Sequence, residues 1–370
     1  MRSVALPAVR PVRTITITTS GGWPMQTSEA SETIPNQSAA MPVEVSHTVQ
    51  FTGEAGEFFR IWIVNLMLTV LTVGIYSAWA TVRTRRYFYA NTRLTGHAFE
   101  YLAEPLQILR GRLIAFAVTA AYVGLGQFAP LWSLAILAGL FLLMPWIVIL
   151  SLRFRARNSA WRGLRFQFVG DTTGAVVNFL LLPILAVFTF GLSYPWSKSR
   201  QQDYIASGHR FGGRGFTFRR DVGEYYAVYL IALILLTGGV VLAVLLGLLP
   251  MIGPLLAMVV FYLVYFLFFA YIMARIGNLF WNNLRLDGHR FESRLDPTRL
   301  AWLYFSNTVA IALTIGLAIP WALIRMAQYR AECLSLIADG SLDDYVAEAG
   351  SEVGATGSEL GEVLELDLGL

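Results

Sequence analysis

Seven apolar stretches, near residues 58–80, 113–130, 131–152, 175–196, 226–249, 251–273 and 301–324, limit what this chain can become. A helix needs about 20 apolar residues to cross the hydrocarbon core of a bilayer, and each stretch meets or approaches that length. Only 14% of the 370 residues are charged, too few to cover a soluble domain of this size. The class is therefore a mainly α-helical, polytopic membrane protein. Segments two and three meet at "GQFAPLW" and segments five and six at "LLPMIGP". These uncharged turns make each pair a tight helical hairpin.

The single segments carry an internal repeat. "TVGIYSAWATVRTRRY", "TFGLSYPWSKSRQQDY" and "TIGLAIPWALIRMAQY" align without gaps on Gly74, Gly191 and Gly316. Each glycine breaks an apolar run and follows a threonine (Thr72, Thr189, Thr314) by two residues. Each copy then has a tryptophan, arginine and tyrosine at four-residue spacing: Trp79, Arg83, Tyr87; Trp196, Arg200, Tyr204; Trp321, Arg325, Tyr329. That spacing puts the three on one helical face. Indole at headgroup level with guanidinium reaching to phosphate reads as an interfacial anchor. "RARNSAWRGLR" and "RIGNLFWNNLR" repeat the pattern with Trp161, Arg165 and Trp281, Arg285, read in the same way.

A wider motif contains these repeats. Five alternating aromatic stretches, in "VQFTGE", "FEYLAE", "FQFVGD", "FTFRRD" and "FESRLD", each end before an acid that precedes an apolar helix. Alternation predicts a short strand and the acid an N-cap. The repeat-built region, 47–335, thus divides into units near 49–98, 99–165, 166–215, 216–290 and 291–335. Residues 1–46 are rich in Ser, Thr, Pro and Ala and are expected to be disordered, with Met25 and Met41 as alternative starts. Residues 336–370 are expected to be an acidic, disordered tail.

Charge bears on topology. From Ala331 onward there are ten acids and no Lys or Arg, and every basic residue but Lys198 is arginine. The connecting stretches carry six, five, six and five basic residues. If all seven segments span, the positive-inside rule ties and gives no orientation. If the three single segments are broken or re-entrant, all these charges share the cytoplasmic side and the strands can pair there. Both arrangements remain open on sequence grounds. Arginine also fits anionic lipid headgroups, which bind bidentately.

Candidate site residues are few. Asn65, Asn178 and Asn307 lie inside the single segments and read either as interhelical hydrogen-bond partners or as a polar path. His97, His209 and His289 recur in Gly-His-x-Phe, but no carboxylate spacing supports a metal, and no cofactor is implied. One cysteine, Cys333, excludes a disulfide framework. Phosphate loops, His-Glu-x-x-His helices and nucleophile elbows are absent from the sequence, so no enzyme is expected.

The run "EFFRIWIVNLMLTVLTVGIYSAWATVRTRRYFYANTRLTGHAFEY", with its echoes at 171–211 and 296–330, resembles the YjgN-like family of bacterial inner-membrane proteins. The likeness covers roughly 46–335; Ala78 stands where proline is expected in the first copy. It implies a multi-pass inner-membrane protein of a family without an established activity. Two functions are expected: transport or a lipid-related role, or a scaffold holding a partner such as a membrane protease or envelope complex. Lipids, a protein partner or a second copy of the chain are the expected partners, and nucleic acid is not.

Overall fold

The computed structural model describes residues 44–351. The expected disorder of residues 1–43 and 352–370 lies outside the described residues.

Short strands alternate with helical excursions. β1 (Glu44–Thr48) and β2 (Gln50–Phe51) form one stretch broken at Val49. Four hairpins follow: β3 (Thr92–Leu94) with β4 (His97–Tyr101), β5 (Ser159–Trp161) with β6 (Leu164–Phe168), β7 (His209–Phe211) with β8 (Arg214–Phe218), and β9 (Leu284–Leu286) with β10 (His289–Ser293). β11 (Leu334–Asp339) is last. All pair antiparallel in the order β1-β11-β10-β9-β8-β7-β6-β5-β4-β3-β2. The two ends of that order are consecutive on the chain, so the sheet closes on itself as a small barrel.

Two-residue turns join the hairpins. Thr95–Gly96, Arg162–Gly163 and Gly212–Gly213 all have positive φ at both positions, as the twist-matched hairpin turn requires. Along the strands aromatic and aliphatic residues face inward and arginines outward, at the period of two that a pleated strand imposes. Trp161, Phe211, Leu286 and Leu336 form the buried centre, while Arg93, Arg165, Arg210, Arg285 and Arg290 are exposed.

Every helical segment between two strands is inserted at the barrel end opposite these turns. Four helices are long and apolar enough to cross a membrane: α3 (Pro105–Phe128), α4 (Pro130–Arg157), α8 (Val222–Gly247) and α9 (Gly253–Asn282). The three single segments behave differently. Each is an outgoing arm of 17 residues, about 25 Å of helix, followed by a return arm. These are α1 (Ala55–Leu71) with α2 (Ser77–Asn91), residues Thr172–Phe188 with α7 (Tyr194–Gly208), and α10 (Pro297–Leu313) with α11 (Ile319–Glu332). The middle outgoing arm comprises α5 (Thr172–Val176), a π-helical turn (Val177–Leu181) and α6 (Leu182–Phe188). Pro183 lacks an N–H and its ring crowds the carbonyl four residues back, which widens this turn.

The repeated threonine and glycine explain the break between arms. Gly74, Gly191 and Gly316 have φ of 90°, 84° and 92°. Their N–H groups donate back to Thr69, Ala186 and Ile311 at 2.7, 2.7 and 2.8 Å, the signature of a left-handed helix stop. Each threonine hydroxyl donates to the carbonyl four residues earlier (Leu68, Leu185, Ala310). Each also accepts the N–H four residues later, on Tyr76, Ser193 and Ala318. One side chain thus holds both sides of the turn.

The tail departs from expectation. Residues 336–339 belong to β11, and 342–351 form a further helix, α12. Leu342 and Tyr345 of α12 join the barrel core. Four apolar positions at helical spacing, Leu342, Tyr345, Val346 and Ala349, provide the seam that the acid-rich composition obscures.

Candidate functional site

The expected N-cap acids divide by length. Asp171 accepts from Gly174 N at 2.6 Å, Asp221 from Glu224 N at 3.3 Å, and Asp296 from Thr298 N and Arg299 N. Glu54 and Glu104 occupy the cap position without a side-chain cap bond; one extra methylene carries the carboxylate past the free N–H groups.

The repeated tyrosines are latches rather than surface anchors, which corrects the sequence reading. Tyr87, Tyr204 and Tyr329 are buried. Each hydroxyl donates to the backbone carbonyl of the acid 33 residues earlier: Glu54 at 3.1 Å, Asp171 at 2.7 Å and Asp296 at 3.2 Å. Burial pushes the Tyr204 and Tyr329 hydroxyls up to about 12, keeping them protonated as donors. The latch ties the foot of each return arm to the start of its outgoing arm.

Trp161 and Trp281 also depart from the anchor reading. Trp161 is buried in β5, and Arg165 lies beyond the turn on β6, where Ala160 is its cross-strand partner. The four-residue spacing that suggests one helical turn instead crosses a hairpin. Trp281 ends α9 and lines the barrel interior, with Arg285 on the outer face of β9. Trp79 and Trp196 are half-buried on the return arms; Trp321 is exposed, with the Arg325 guanidinium 5.0 Å from its ring centre. Arg83 is exposed and Arg200 half-buried.

The asparagines are buried in the outgoing arms, and the Asn307 side chain is the one of the three that bonds to a neighbouring helix. Asn65, Asn178 and Asn307 are 4%, 4% and 7% exposed. Asn178 donates to Gly174 O at 2.8 Å; Asn307 accepts from Arg325 Nη1 at 3.3 Å and donates to Ala322 O. None of the three lines either of the two cavities described below. The histidines do not converge: His97 is exposed at the turn end, while His209 and His289 line the barrel interior. Among the described residues, no three His, Cys, Asp or Glu gather as metal ligands.

What the sequence reading missed is a groove where α2, α3 and α4 meet beside the barrel. Its volume is about 780 Å³, and Arg85, Arg112, Arg153, Arg155 and Arg157 line it with no acid among them. Arg112 bonds Ser77 Oγ and, at 2.7 Å, Thr81 Oγ1. Arg85 donates to Tyr101 Oη at 2.8 Å, and Arg153 to Gly170 O at 3.4 Å. Five cations on one concave wall, without an ion pair among the described residues, favour an anion, and guanidinium forks suit phosphate. The signal was present as "RFRAR" (153–157), but its partners Arg85 and Arg112 are distant in sequence.

The model of the family described as "Bacterial protein of unknown function (DUF898)" matches residues 46–363. The chain belongs to this family. Curated relatives are named "Inner membrane protein YjgN". The Salmonella typhimurium one is 26% identical over 345 residues, covering 78% of this chain and 87% of the relative. The Escherichia coli K12 one is 23% identical, covering 81% and 90%. No solved structure matches significantly. With four membrane-capable helices, the protein is a multi-pass inner-membrane member of the family.

Proposed function

We propose that this family member binds anionic lipid headgroups in the five-arginine groove, with its barrel on the cytoplasmic side. The groove is the single observation that carries the reading: five arginines, no acid, at the level where α3 and α4 leave the barrel.

The topology follows from the barrel. Every helical excursion starts and finishes at one barrel end, so it crosses the bilayer an even number of times. The hairpins α3–α4 and α8–α9 cross twice, and the three shorter arm pairs enter and return. Their tips support this. Val73, Phe190 and Ile315 occupy left-handed turn positions and are 92%, 97% and 95% exposed. Apolar tips of this kind suit hydrocarbon and would be costly in water. All 22 basic residues of the connecting stretches then lie on the barrel side, which the positive-inside rule makes cytoplasmic. After Cys333→Ser, cysteines placed at Ala90 and Ser207 should both label from the cytoplasm; labelling from opposite sides would overturn the arrangement.

The lipid test uses purified full-length protein in mild detergent. Native mass spectrometry should find phosphatidylglycerol retained over phosphatidylcholine, and Arg112→Gln with Arg155→Gln should cut that preference about tenfold, equal to about 1.4 kcal/mol. An unchanged preference in a folded double variant rules the groove out. Inorganic phosphate competing as well as the lipid would point to a soluble anion instead. A partner scaffold is less supported: the closed barrel has no free strand edge for a peptide to extend. Transport draws no support from the asparagines, which line neither cavity.

A further inference from the structure

The barrel encloses a second cavity, of about 340 Å³, independent of the arginine groove. Its walls are carbon-rich, dominated by Phe99, Trp161, Phe166, Phe211, Phe216 and Phe291. The two imidazoles that reach it are already engaged. His209 Nδ1 lies 2.6 Å from Ile205 O, and His289 Nδ1 accepts from Asp339 N at 3.1 Å. Burial lowers both histidines from their ordinary values, so they stand neutral. Water needs two to four polar partners to occupy a hole, and these walls offer few. An apolar cavity of about 150 Å³ already takes up benzene; this one is more than twice that size. A ligand pocket of 300 Å³ or more with apolar walls is the ordinary form of a small-molecule site.

The open ends of the barrel differ. At the helix end, Ile205, Ala206, Phe280 and Trp281 of α7 and α9 close the floor. At the turn end α12 lies across the mouth, and Leu342 and Tyr345 form part of the wall. Ala349 seats on Gly212, where any side chain would meet its Cβ at 2.5 Å. Rim side chains hold α12 electrostatically: Arg162 pairs with Asp343 at 2.6 Å, Arg214 pairs with Glu348 at 2.8 Å, and the Arg214 guanidinium lies 5.0 Å from the Tyr345 ring centre. The two acids are largely solvent-exposed, and such pairs are individually weak. Among the described residues α12 is joined to the barrel at one end, through β11, whereas α7 and α9 run directly into β7 and β9, so α12 is the easier of the two closures to release.

We propose that the barrel interior binds one uncharged apolar ligand, and that α12 is the lid over its entrance.

The experiment titrates purified full-length protein with N-phenyl-1-naphthylamine, an uncharged apolar fluorophore, against a matched detergent blank. Saturable fluorescence above the blank is expected, displaced by dodecanol. Ala206→Phe fills the floor and should weaken binding at least tenfold. Phe216→Trp, a smaller enlargement of the wall, carries the same test if Ala206→Phe does not fold. Asp343→Asn with Glu348→Gln should speed probe release severalfold while the saturation level holds. Signal no greater than the blank, or equal binding by a folded filled variant, overturns the site. Unchanged release from the double variant overturns the lid.

Discussion

The two long hairpins come from the same module but have different neighbours. α8–α9 is packed: α10 lies along α9 and α7 along α8, and Tyr225, Val228, Ala232, Ala270, Ala274 and Ile276 are buried there. α3–α4 is lopsided: α3 buries no residue, whereas α4 packs on the middle outgoing arm through Ile149 and Ala156. Where α8–α9 is filled by neighbours, α3–α4 leaves a gap beside α2, and the arginine groove occupies it. The difference thus lies in the first helix of each hairpin: α8 is covered by α7, and α3 is left as an open wall. Duplication gave both hairpins the same Arg-x-x-Asn punctuation, and packing assigned them different work.

The largest effect that could break this comparison is steric. A Cβ at Gly239 in α8 collides with the Val264 side chain of α9, whereas at Gly124 in α3 nothing lies within 4 Å. Gly239→Leu should overpack α8–α9 and cost about 1–3 kcal/mol, read as a lower Tm in detergent. Gly124→Leu should change stability by no more than about 0.5 kcal/mol. Equal losses would mean that α3–α4 is packed as tightly as its counterpart.

A smaller effect sharpens the comparison at the headgroup level. Arg155 and Arg275 hold equivalent positions in the two hairpins, but only Arg155 lines the groove, while Arg275 sits 5.8 Å from the Tyr271 ring. Arg155→Gln alone should reduce phosphatidylglycerol preference about threefold, roughly 0.7 kcal/mol, and Arg275→Gln should leave it unchanged. The same preference lost in both variants would mean that the protein reads overall charge and has no single groove.

Much of the fold was legible because repetition exposes constraint. The spacing of Thr72 and Gly74 to a break, recurring at Thr189 and Thr314, reflects a local hydrogen-bond geometry contained within nine residues. The strand motifs were equally readable, since alternation of Phe with polar residues is a property of single strands. The errors share one cause. Trp161 and Arg165 sit four apart, which is one helical turn or one hairpin crossing, and spacing alone does not separate the two. Tyr87, Tyr204 and Tyr329 share a face with arginines, yet their hydroxyls answer to backbone 33 residues away. Residues 342–351 looked like a solvated tail because they carry three acids and no basic residue, although four apolar positions form one seam.

The sequence by itself determined the class, the five-unit repeat, the positions of five of the eleven described strands and the helix breaks, because apolar length, side-chain alternation and short-range hydrogen bonding are local. Only the tertiary structure decided that β1 and β2 close the sheet, that α12 covers it, and that Arg85 and Arg112 meet Arg153, Arg155 and Arg157. Each of those outcomes joins surfaces far apart on the chain. Which surfaces meet depends on the volume and charge that every other unit leaves unoccupied.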